Sequence, residues 1–143
     1  VTMDIRYTVD DKRLSAAEFI PFANGVWAGE YDPEKVQQAL ERTVNITAYD
    51  GETLVGFCMY GMDVGDREHW IYRLMIDRAY QSQGYGRKAL SLLLERLQAD
   101  CSHHMVYLSC NPDNAWGRAL YESVGFQPDG REVHGEIVYR KVW

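Results

Sequence analysis

The sequence contains little proline, few cysteines and no long apolar run. Its 143 residues include 4 prolines and 3 cysteines, and apolar runs such as Leu92-Leu93-Leu94 end after a few residues. So little proline excludes a collagen-like chain, and a membrane helix needs about 20 consecutive apolar residues. We therefore expect no membrane partner. The first residues also lack the charged and apolar regions of a signal peptide, and Val1 and Thr2 are expected to be a vector remnant before Met3.

Cysteine usage indicates a reducing compartment. Cys58, Cys101 and Cys110 are an odd number and form no C-x-x-C pair, which argues against a disulfide framework. We expect free thiols and a cytoplasmic location. Ser102 and two histidines follow Cys101, but adjacent histidines without a second cluster lack usable ligand spacing. No metal site is predicted.

Positive charge is also scarce. There are 15 Lys and Arg residues against 21 Asp and Glu, which gives a net charge of −6. Nucleic acid binding depends on basic surfaces that neutralise phosphates, so no nucleic acid partner is expected. An acidic surface is better suited to a small cationic molecule.

The rest of the composition is that of one globular domain covering residues 1–143. Hydrophobic residues make up 46% of the chain and charged residues 25%, which is ordinary for a soluble domain. This length is enough to bury one core and too short for two comfortable ones.

Hydrophobic periodicity predicts alternating strands and helices. Leucines spaced i, i+3, i+4 and i+7 mark a helix at 90–97, and Asp32 before Pro33 has the pattern of a helix start. The segment 70–76 is apolar almost throughout, as in a central strand buried on both faces. With the next helix and strand it forms a βαβ unit. Strands are predicted at 5–9, 44–48, 54–62, 70–76, 105–109 and 136–143, and helices around 19–23, from 33, at 90–97 and at 116–124.

A loop with two glycines, between the 70–76 strand and the 90–97 helix, has the composition of a phosphate site. Gly84 and Gly86 remove side chains near a helix start, where unpaired N–H groups and the positive dipole end attract anions. Arg87 adds positive charge. Two other interpretations exist. Gly84-x-Gly86-x-x-Ala89 formally fits a dinucleotide fingerprint, although no clear acidic residue ends the next strand, or the glycines only make a tight connection.

Two motifs resemble those of the GNAT superfamily of acetyl-CoA-dependent N-acetyltransferases. The segment Gln81-x-x-Gly84-x-Gly86 matches its Q/R-x-x-G-x-G/A loop. Residues 111–126, which end in ALYESVGF, are similar to its N-x-x-A-x-x-L-Y-x-x-x-G-F signature, with Trp116-Gly117 shifting the interior. The resemblance covers roughly residues 44–143. It implies the GNAT fold, an α/β (α+β) mixed sheet of about six to seven strands flanked by about four helices.

The resemblance also implies how acetyl-CoA is held. Backbone groups of Leu74, Met75 and Ile76 would pair with the pantetheine arm, and N–H groups of the glycine loop would hold the pyrophosphate. Asn114 would bond near the thioester, although its place before a helix fits an N-cap equally well. The loop residues concerned are Gln81, Ser82, Gln83, Gly84, Tyr85, Gly86 and Arg87.

Tyr121 is the predicted proton donor of the implied reaction. Attack of a neutral amine on the thioester releases a thiolate with a pKa of about 8.5, and a phenol with a pKa of about 10 can hydrogen-bond to it or protonate it. The alternative is a packing role, since the chain has 10 tyrosines and buried tyrosines mostly serve the core.

The group that takes the proton of the amine stays open at this point. In the family a carboxylate on the central strand often accepts it, directly or through water. Here Tyr72 stands in that stretch, and Glu68 and His69 precede it. Glu68 and Tyr72 are the candidate catalytic residues, while a water chain or proton loss from a partly desolvated ammonium are alternatives.

The acceptor is predicted to be a small amine, with polyamines as the leading class. Segments 70–77, 81–87 and 134–140 are similar to those of bacterial spermine/spermidine acetyltransferases. A polyamine needs carboxylates for its ammonium groups and aromatic walls for its methylenes. Aminoglycosides, amino acids and protein N-termini are alternatives, as is a non-catalytic acetyl-CoA sensor. The candidate contacts are Glu30, Tyr31, Tyr72, Glu132 and Glu136.

The resemblance further implies a homodimer, because domains of this superfamily commonly pair through their C-terminal strands. The apolar residues Val142 and Trp143 fit an exposed edge strand that could make such a contact.

Overall fold

The computed structural model of the chain describes residues 4–63, 65, 67–100 and 104–143. The motif Cys101-Ser102-His103 lies outside the described residues. The elements follow in the order β1 (Ile5–Val9), α1 (Ala16–Val26), α2 (Pro33–Arg42), β2 (Val44–Asp50), β3 (Thr53–Met62), β4 (His69–Ile76), a short 3₁₀ turn (Arg78–Tyr80), α3 (Tyr85–Asp100), β5 (Met105–Cys110), α4 (Ala115–Ser123), β6 (Gln127–Val133) and β7 (Glu136–Val142).

The strands form one mixed sheet. Their order is β1-β2-β3-β4-β5-β7-β6, which puts β4 in the middle, as its apolar sequence predicted. β4 and β5 run parallel and the other neighbours run antiparallel. A parallel pair needs a crossover connection, and α3 supplies it. The mixed α/β fold predicted from the sequence is confirmed.

Helices cover both faces of the sheet. Phe57 and Cys58 are consecutive on β3, so their side chains point to opposite faces, and they belong to different cores. The core around Cys58 takes leucines from α3 and Tyr121 from α4. The core around Phe57 takes Phe19 from α1 and Leu40 from α2. The catalytic candidate Tyr121 is therefore on the α3 side of the sheet.

The helix starts follow the capping residues in the sequence. The Asp32 carboxylate accepts hydrogen bonds from the backbone N–H groups of Glu34 and Lys35, and Pro33 is the first helical residue of α2, in the arrangement that Pro favours at N1. Gly125, with φ 101°, takes the left-handed conformation that ends α4. Both ends agree with the sequence prediction.

The edge strand β6 was not predicted, and its presence changes the expected edge of the sheet. It pairs with β7 only near its two ends, with the register shifting between Pro128 and Glu132. Proline is tolerated at a sheet edge because one side of the strand has no ladder to complete. Because β6 covers it, β7 lies inside the sheet, between β5 and β6. The expectation that the strand ending at Val142 forms the edge is wrong.

The two parallel strands at the centre diverge. β4 and β5, all of whose residues are described, pair at one position, Trp70 with Tyr107. On its other side β4 stays paired with β3 through a bulge that sets Arg73 and Leu74 against Cys58. Arg73 has a φ of 58° there, which is rare for a residue with a side chain. Backbone groups near the carboxyl end of β4 are thus left facing an opening rather than a neighbouring strand.

Among the described residues, no helix combines the length and apolar character that crossing a membrane requires.

Candidate functional site

A cleft of about 720 Å³ occupies the opening between β4 and β5, and we call it the central cleft. Ligands commonly bind in crevices beyond the carboxyl ends of parallel strands. Its walls come from β4, β5, the end of α1, the start of α4 and the start of β7. The lining residues are Val26, Trp27, Arg73, Leu74, Ile76, Gln81, Ser109, Cys110, Asn111, Asp113, Asn114, Trp116, Tyr121 and Glu136.

A second cavity of about 310 Å³, the loop pocket, adjoins the central cleft. The two share Ile76, Gln81 and Trp116 among their lining residues. The loop pocket lies between the glycine loop and α4. Its other lining residues are Tyr80, Ser82, Gly84, Gly86, Arg87, Ala119, Leu120 and Ser123. Together the cavities form a path from the start of α3 to the end of β5.

The glycine loop is shaped to bring backbone N–H groups to the loop pocket. Ser82 and Gly84 both have positive φ, 63° and 89°, and α3 begins directly after them. A Cβ on Gly86 would be in van der Waals contact with the Trp116 ring at 3.4 Å, so this glycine lies directly against the wall of the pocket. The first N–H groups of a helix have no intrahelical partner and favour anions. The loop is therefore suited to a phosphate group.

Two glutamine side chains brace this loop from within. Gln81 donates from Nε2 to the carbonyl of Ile76 at 3.0 Å, and Gln83 donates to the carbonyl of Ala79 at 3.2 Å. The Gln81 contact fixes the loop to the end of β4. Gln81 thus stabilises the loop, and the hydrogen bond requires a donor such as the side-chain amide at this position.

Most of the predicted cofactor residues line these two cavities. Three do not. The Met75 side chain is buried in the core on the α1 side, the Tyr85 ring packs 6.2 Å from the Tyr80 ring, and Gln83 is exposed. The residues that do line them are Leu74, Ile76, Gln81, Ser82, Gly84, Gly86, Arg87, Asn114 and Tyr121.

Asn114 is both an N-cap and a wall of the central cleft. Its Oδ1 accepts a hydrogen bond of 2.9 Å from the backbone N–H of Gly117, which satisfies one of the free donors at the start of α4. A Cβ on Gly117 would be 2.6 Å from Asn114 Nδ2, so this cap requires glycine at position 117. The cap predicted from the sequence is confirmed, and the cofactor contact stays a prediction.

Tyr121 presents a buried phenol to the central cleft. The residue is 9% exposed, and its ring lies 6.2 Å from Phe126 and 6.3 Å from Tyr139. Among the described residues, no group hydrogen-bonds to its hydroxyl. Burial raises the pKa of Tyr121 above its ordinary value of 10.0, and the nearby thiols and Glu136 act in the same direction. The hydroxyl therefore keeps its proton at neutral pH.

Glu136 and Ser109 form a hydrogen-bonded pair in the same cleft. Ser109 Oγ donates to Glu136 Oε1 at 2.7 Å. Ser109 is on β5 and Glu136 begins β7, two strands that pair antiparallel. Both residues are half-buried. Of the predicted acceptor contacts, Glu136 is the one that the structure brings together with Tyr121.

Glu68 and Tyr72 are not among the residues that line the central cleft. Glu68 precedes β4, about 20 Å along the chain from Leu74 at strand spacing, and its carboxylate is 3.6 Å from the Arg131 guanidinium. Tyr72 pairs with Met59 across the sheet, and Met59 packs with the core on the α1 side. The structure does not bring either of them to Tyr121.

The predicted acceptor residues of the α1–α2 loop are also separate from the central cleft. Glu30 is exposed and is not among the residues that line the cleft. Tyr31 donates from its hydroxyl to the carbonyl of Trp27 at 2.8 Å and lines a smaller apolar pocket of about 210 Å³ under α2. Glu132 is exposed on the edge strand β6.

Sequence reasoning missed Trp27, Arg73 and Trp116. The Arg73 guanidinium lies 5.8 Å from the centre of the Trp27 ring, within cation–π distance, and both residues line the central cleft. Trp116 stands where the two cavities meet and is 43% exposed. The sequence did contain one signal for Arg73, which is the single charged residue in an otherwise apolar strand. A charged side chain in such a strand is expected to extend to solvent or into a binding site.

Across the part of the chain that the structure describes, no group of three or more metal-ligating side chains converges. Cys58 and Cys110 are free and buried. Burial raises the pKa of the Cys110 thiol, which makes it a poor nucleophile at neutral pH.

The chain is similar in sequence to known acetyltransferases. The model of the Acetyltransferase (GNAT) family matches residues 14–126. The chain is 36% identical over 100 residues to a spermine/spermidine N(1)-acetyltransferase of Bacillus subtilis (strain 168), a match that covers 65% of each protein. It is 28% identical over 111 residues to a [ribosomal protein bS18]-alanine N-acetyltransferase of Haemophilus ducreyi, covering 78% of this chain and 69% of that protein.

The fold is similar to that of a solved structure, the PaiA N-acetyltransferase of Thermoplasma acidophilum in complex with coenzyme A. The TM-score is 0.80 at 19% sequence identity, with 99% of this chain and 100% of that chain covered. A structural match at this identity supports the fold alone. The Bacillus match spans 65% of the curated relative's length.

Proposed function

This chain belongs to the Acetyltransferase (GNAT) family, and we propose that it transfers an acetyl group from acetyl-CoA directly to a primary amine. One observation carries the proposal. The Tyr121 side chain is buried, and its hydroxyl, which has no hydrogen-bond partner among the described residues, faces a cleft at the diverging ends of β4 and β5. A protonated phenol beside an open strand edge and an anion-binding loop is what thioester aminolysis requires.

Acetyl-CoA fits the two cavities by chemical type. The amide-bearing pantetheine arm would pair with the open backbone edge from Leu74 to Ile76, as an added strand would. The pyrophosphate would lie at the glycine loop in the loop pocket, near the Arg87 side chain. The thioester would then be in the central cleft, where Tyr121, Asn114 and Cys110 form the wall.

Tyr121 would act as the proton donor. As the amine nitrogen bonds to the acetyl carbonyl carbon, the carbon–sulfur bond breaks and the sulfur leaves as a thiolate. The raised pKa of Tyr121 keeps its proton available for a hydrogen bond to that sulfur, followed by transfer. Donation of this kind contributes about 10²- to 10⁴-fold to a rate.

A polyamine is the acceptor that we propose first. Glu136 and Asp113 offer carboxylates in the central cleft, and the exposed Trp27 ring offers a face for a cationic chain. The similarity to spermine/spermidine acetyltransferases supports the same class. Glu30, Tyr31 and Tyr72 stay predictions for the distal contacts.

A second candidate acceptor is an amino group next to a carboxylate or a peptide carbonyl. Arg73 favours it, because this cation lines the central cleft and would repel a second ammonium group while attracting an anion. The similarity to alanine N-acetyltransferases of ribosomal protein bS18 supports this class. The acceptor assay below separates the two.

The test of the proposed function is thiol release from acetyl-CoA in the presence of single amines. The panel contains spermidine, spermine, putrescine, an aminoglycoside, free alanine and a peptide with an N-terminal alanine. Turnover of polyamines alone supports the first acceptor class, and turnover of alanine or the peptide alone supports the second. Binding of acetyl-CoA in calorimetry without turnover of any amine would contradict the proposal and favour a sensor.

Three further expectations belong to the same proposal. We propose that residues 1–143 act as one catalytic domain, that the protein is cytoplasmic and that it forms a homodimer. The exposed edge strand β6 offers a surface for pairing of two copies. Light scattering coupled to size-exclusion chromatography should give twice the chain mass of 16.5 kDa, and a monomer at micromolar concentration would contradict the homodimer.

A further inference from the structure

The proposed reaction needs a group that removes a proton from the acceptor, because a primary amine arrives as an ammonium ion. A lysine-like amine has a pKa of about 10.4, so only roughly one molecule in 2,500 is neutral at pH 7. The ammonium nitrogen has no lone pair to attack the thioester. A carboxylate in contact with the bound amine would remove this limit.

Two carboxylates line the central cleft, and they differ in surroundings. Asp113 is exposed in the loop before α4, where water competes for its oxygens. Glu136 is half-buried and its Oε1 accepts the 2.7 Å hydrogen bond from Ser109. Glu68, which directly precedes β4, is engaged with Arg131 and does not line the cleft. Glu136 is therefore the carboxylate that is both in the cleft and held in place.

The backbone fixes Glu136 at the cleft from two sides. As the first residue of β7 it pairs with Val133 on β6, and β7 pairs with β5 along the whole of that strand. The Ser109 hydrogen bond uses Oε1. For Oε2 the structure gives no hydrogen bond among the described residues, so this oxygen can approach a substrate nitrogen.

The groups around Glu136 agree with such a role. Tyr121 on α4, Cys110 on β5 and Arg73 on β4 line the same cleft, with Asp113 at its edge. Glu136 is close enough to Tyr121 and Cys110 to contribute to the raised pKa of both. Arg73 is the cation among these lining residues. A proton acceptor and a proton donor thus share one cavity.

We infer that Glu136 is the base that deprotonates the acceptor amine, and that Ser109 positions its carboxylate. This inference rests on the proposed acetyl transfer. In the first step the N–H bond of the ammonium breaks and an O–H bond forms on Glu136 Oε2, which frees the nitrogen lone pair for attack. Tyr121 gives its proton to the leaving sulfur. The nitrogen loses a second proton as the amide forms, and this proton returns Tyr121 to its neutral form. One proton then leaves from Glu136 to solvent, and the overall equation balances.

The test compares E136Q with wild type and with E95Q, a matched control at an exposed glutamate of α3 that does not line the cleft. The turnover number, kcat, is measured from pH 6 to pH 10 at saturating acetyl-CoA and saturating acceptor, with spermidine or the alanine peptide, whichever the wild type turns over. We expect E136Q to lose about 10²-fold in kcat at pH 7, the lower end of what general bases contribute. The loss should shrink about tenfold per pH unit until the acceptor is neutral, at a pH of about 10.4 for a polyamine amine and about 8 for the amino group of the peptide.

A binding role alone would give another result. E136Q would then raise KM for the acceptor and leave kcat and its pH dependence as in the wild type. That outcome overturns the inference and leaves the proposed function intact. A wild type that turns over no amine overturns both. A large loss in E95Q as well would show a general effect of charge and would also overturn the inference.

The role of Ser109 is tested by S109A in the same pH series. The hydroxyl holds Glu136 Oε1 in place, so S109A should lower kcat at pH 7 by a smaller factor than E136Q does. The loss should shrink toward pH 10, because the free amine no longer needs the base. A merely structural residue would lower kcat equally at every pH, and this result would overturn the positioning role.

Discussion

At the scale of single residues, Tyr121 is the side chain on which the proposed chemistry depends most. Y121F removes one hydroxyl and keeps the ring contacts with Phe126 and Tyr139. We expect kcat to fall about 10²-fold or more, since proton donation by a positioned group contributes that much. The dissociation constant of acetyl-CoA, measured by calorimetry, should stay unchanged because the hydroxyl acts on the leaving sulfur.

Tyr107 provides the matched control. It is also a buried tyrosine, and its hydroxyl contacts Met105 Sδ away from the cleft. Y107F should keep the wild-type kcat. If Y121F turned over acetyl-CoA at the same rate as Y107F, Tyr121 would be a packing residue and the mechanism would need another donor.

Arg73 is the residue that should decide between the two acceptor classes. It lines the central cleft and stacks on Trp27, so R73Q removes a positive charge where the acceptor enters. For spermidine we expect KM to fall by about threefold, in line with the energy of under about 1 kcal/mol for exposed charge pairs. For an acceptor with a carboxylate, KM should rise instead.

The measurement is KM for each acceptor at saturating acetyl-CoA, with R78Q as a control, because Arg78 is exposed on the turn after β4. An R73Q enzyme with an increased KM for spermidine would contradict the repulsion argument and would give Arg73 a structural role in the bulge.

Single positions also show where sequence reasoning reached its limit. Tyr121, Gly84 and Gly86 were found because they stand in motifs, and the structure puts all three at the two cavities. Arg73 was not found, because the bulge against Cys58 changes which way side chains point, and strand alternation does not reveal a bulge. Glu30 and Glu136 looked equivalent in the sequence. The pairing of β5 with β7 brings Glu136 to the cleft, and Glu30 does not line it. This pairing cannot be predicted from the sequence.

At the scale of elements, the start of α4 combines a structural and a proposed functional contact in Asn114. The cap uses Oδ1, whereas a cofactor contact would use the Nδ2 donor. N114D keeps the oxygen acceptor of the cap and loses the Nδ2 donor, whereas N114A loses both. We expect N114A to lower the free energy of unfolding by about 1 kcal/mol and N114D to leave it nearly unchanged.

The two variants then report on acetyl-CoA through KM. If Nδ2 bonds the cofactor, both variants should raise KM for acetyl-CoA, although N114D is as stable as the wild type in thermal unfolding. An N114D enzyme with the wild-type KM would mean that Asn114 is a cap only.

Elements were predictable where burial leaves a period in the sequence. The leucines of α3 recur with the helical period because one face of the helix is buried. The sequence of β4 is apolar almost throughout because both faces of this strand are buried. β6 left no such period, since almost every one of its residues is exposed and Pro128, Asp129 and Gly130 look like a turn. It is a strand because it pairs with β7, and this pairing is not visible in the local sequence. The missed strand led directly to the wrong edge for β7.

At the scale of the whole molecule, two distant parts of the chain build one path. The glycine loop lies before α3, and the walls with Tyr121 and Glu136 come from the last quarter of the sequence. The loop pocket and the central cleft share three lining residues. A ligand that fills both cavities therefore ties the two parts together, and its binding should stabilise the entire fold.

This linkage can be measured by thermal unfolding. At 100 times its dissociation constant, a ligand that binds only the native state adds about 2.7 kcal/mol, and for a domain of this size about 1 kcal/mol moves Tm by roughly 3 °C. We expect acetyl-CoA to raise Tm by about 8 °C. S-acetylpantetheine, which lacks the pyrophosphate, should raise Tm by less than about 2 °C at equal concentration, because it cannot use the N–H groups of the glycine loop. Equal shifts for both compounds would mean that the loop pocket does not hold the pyrophosphate.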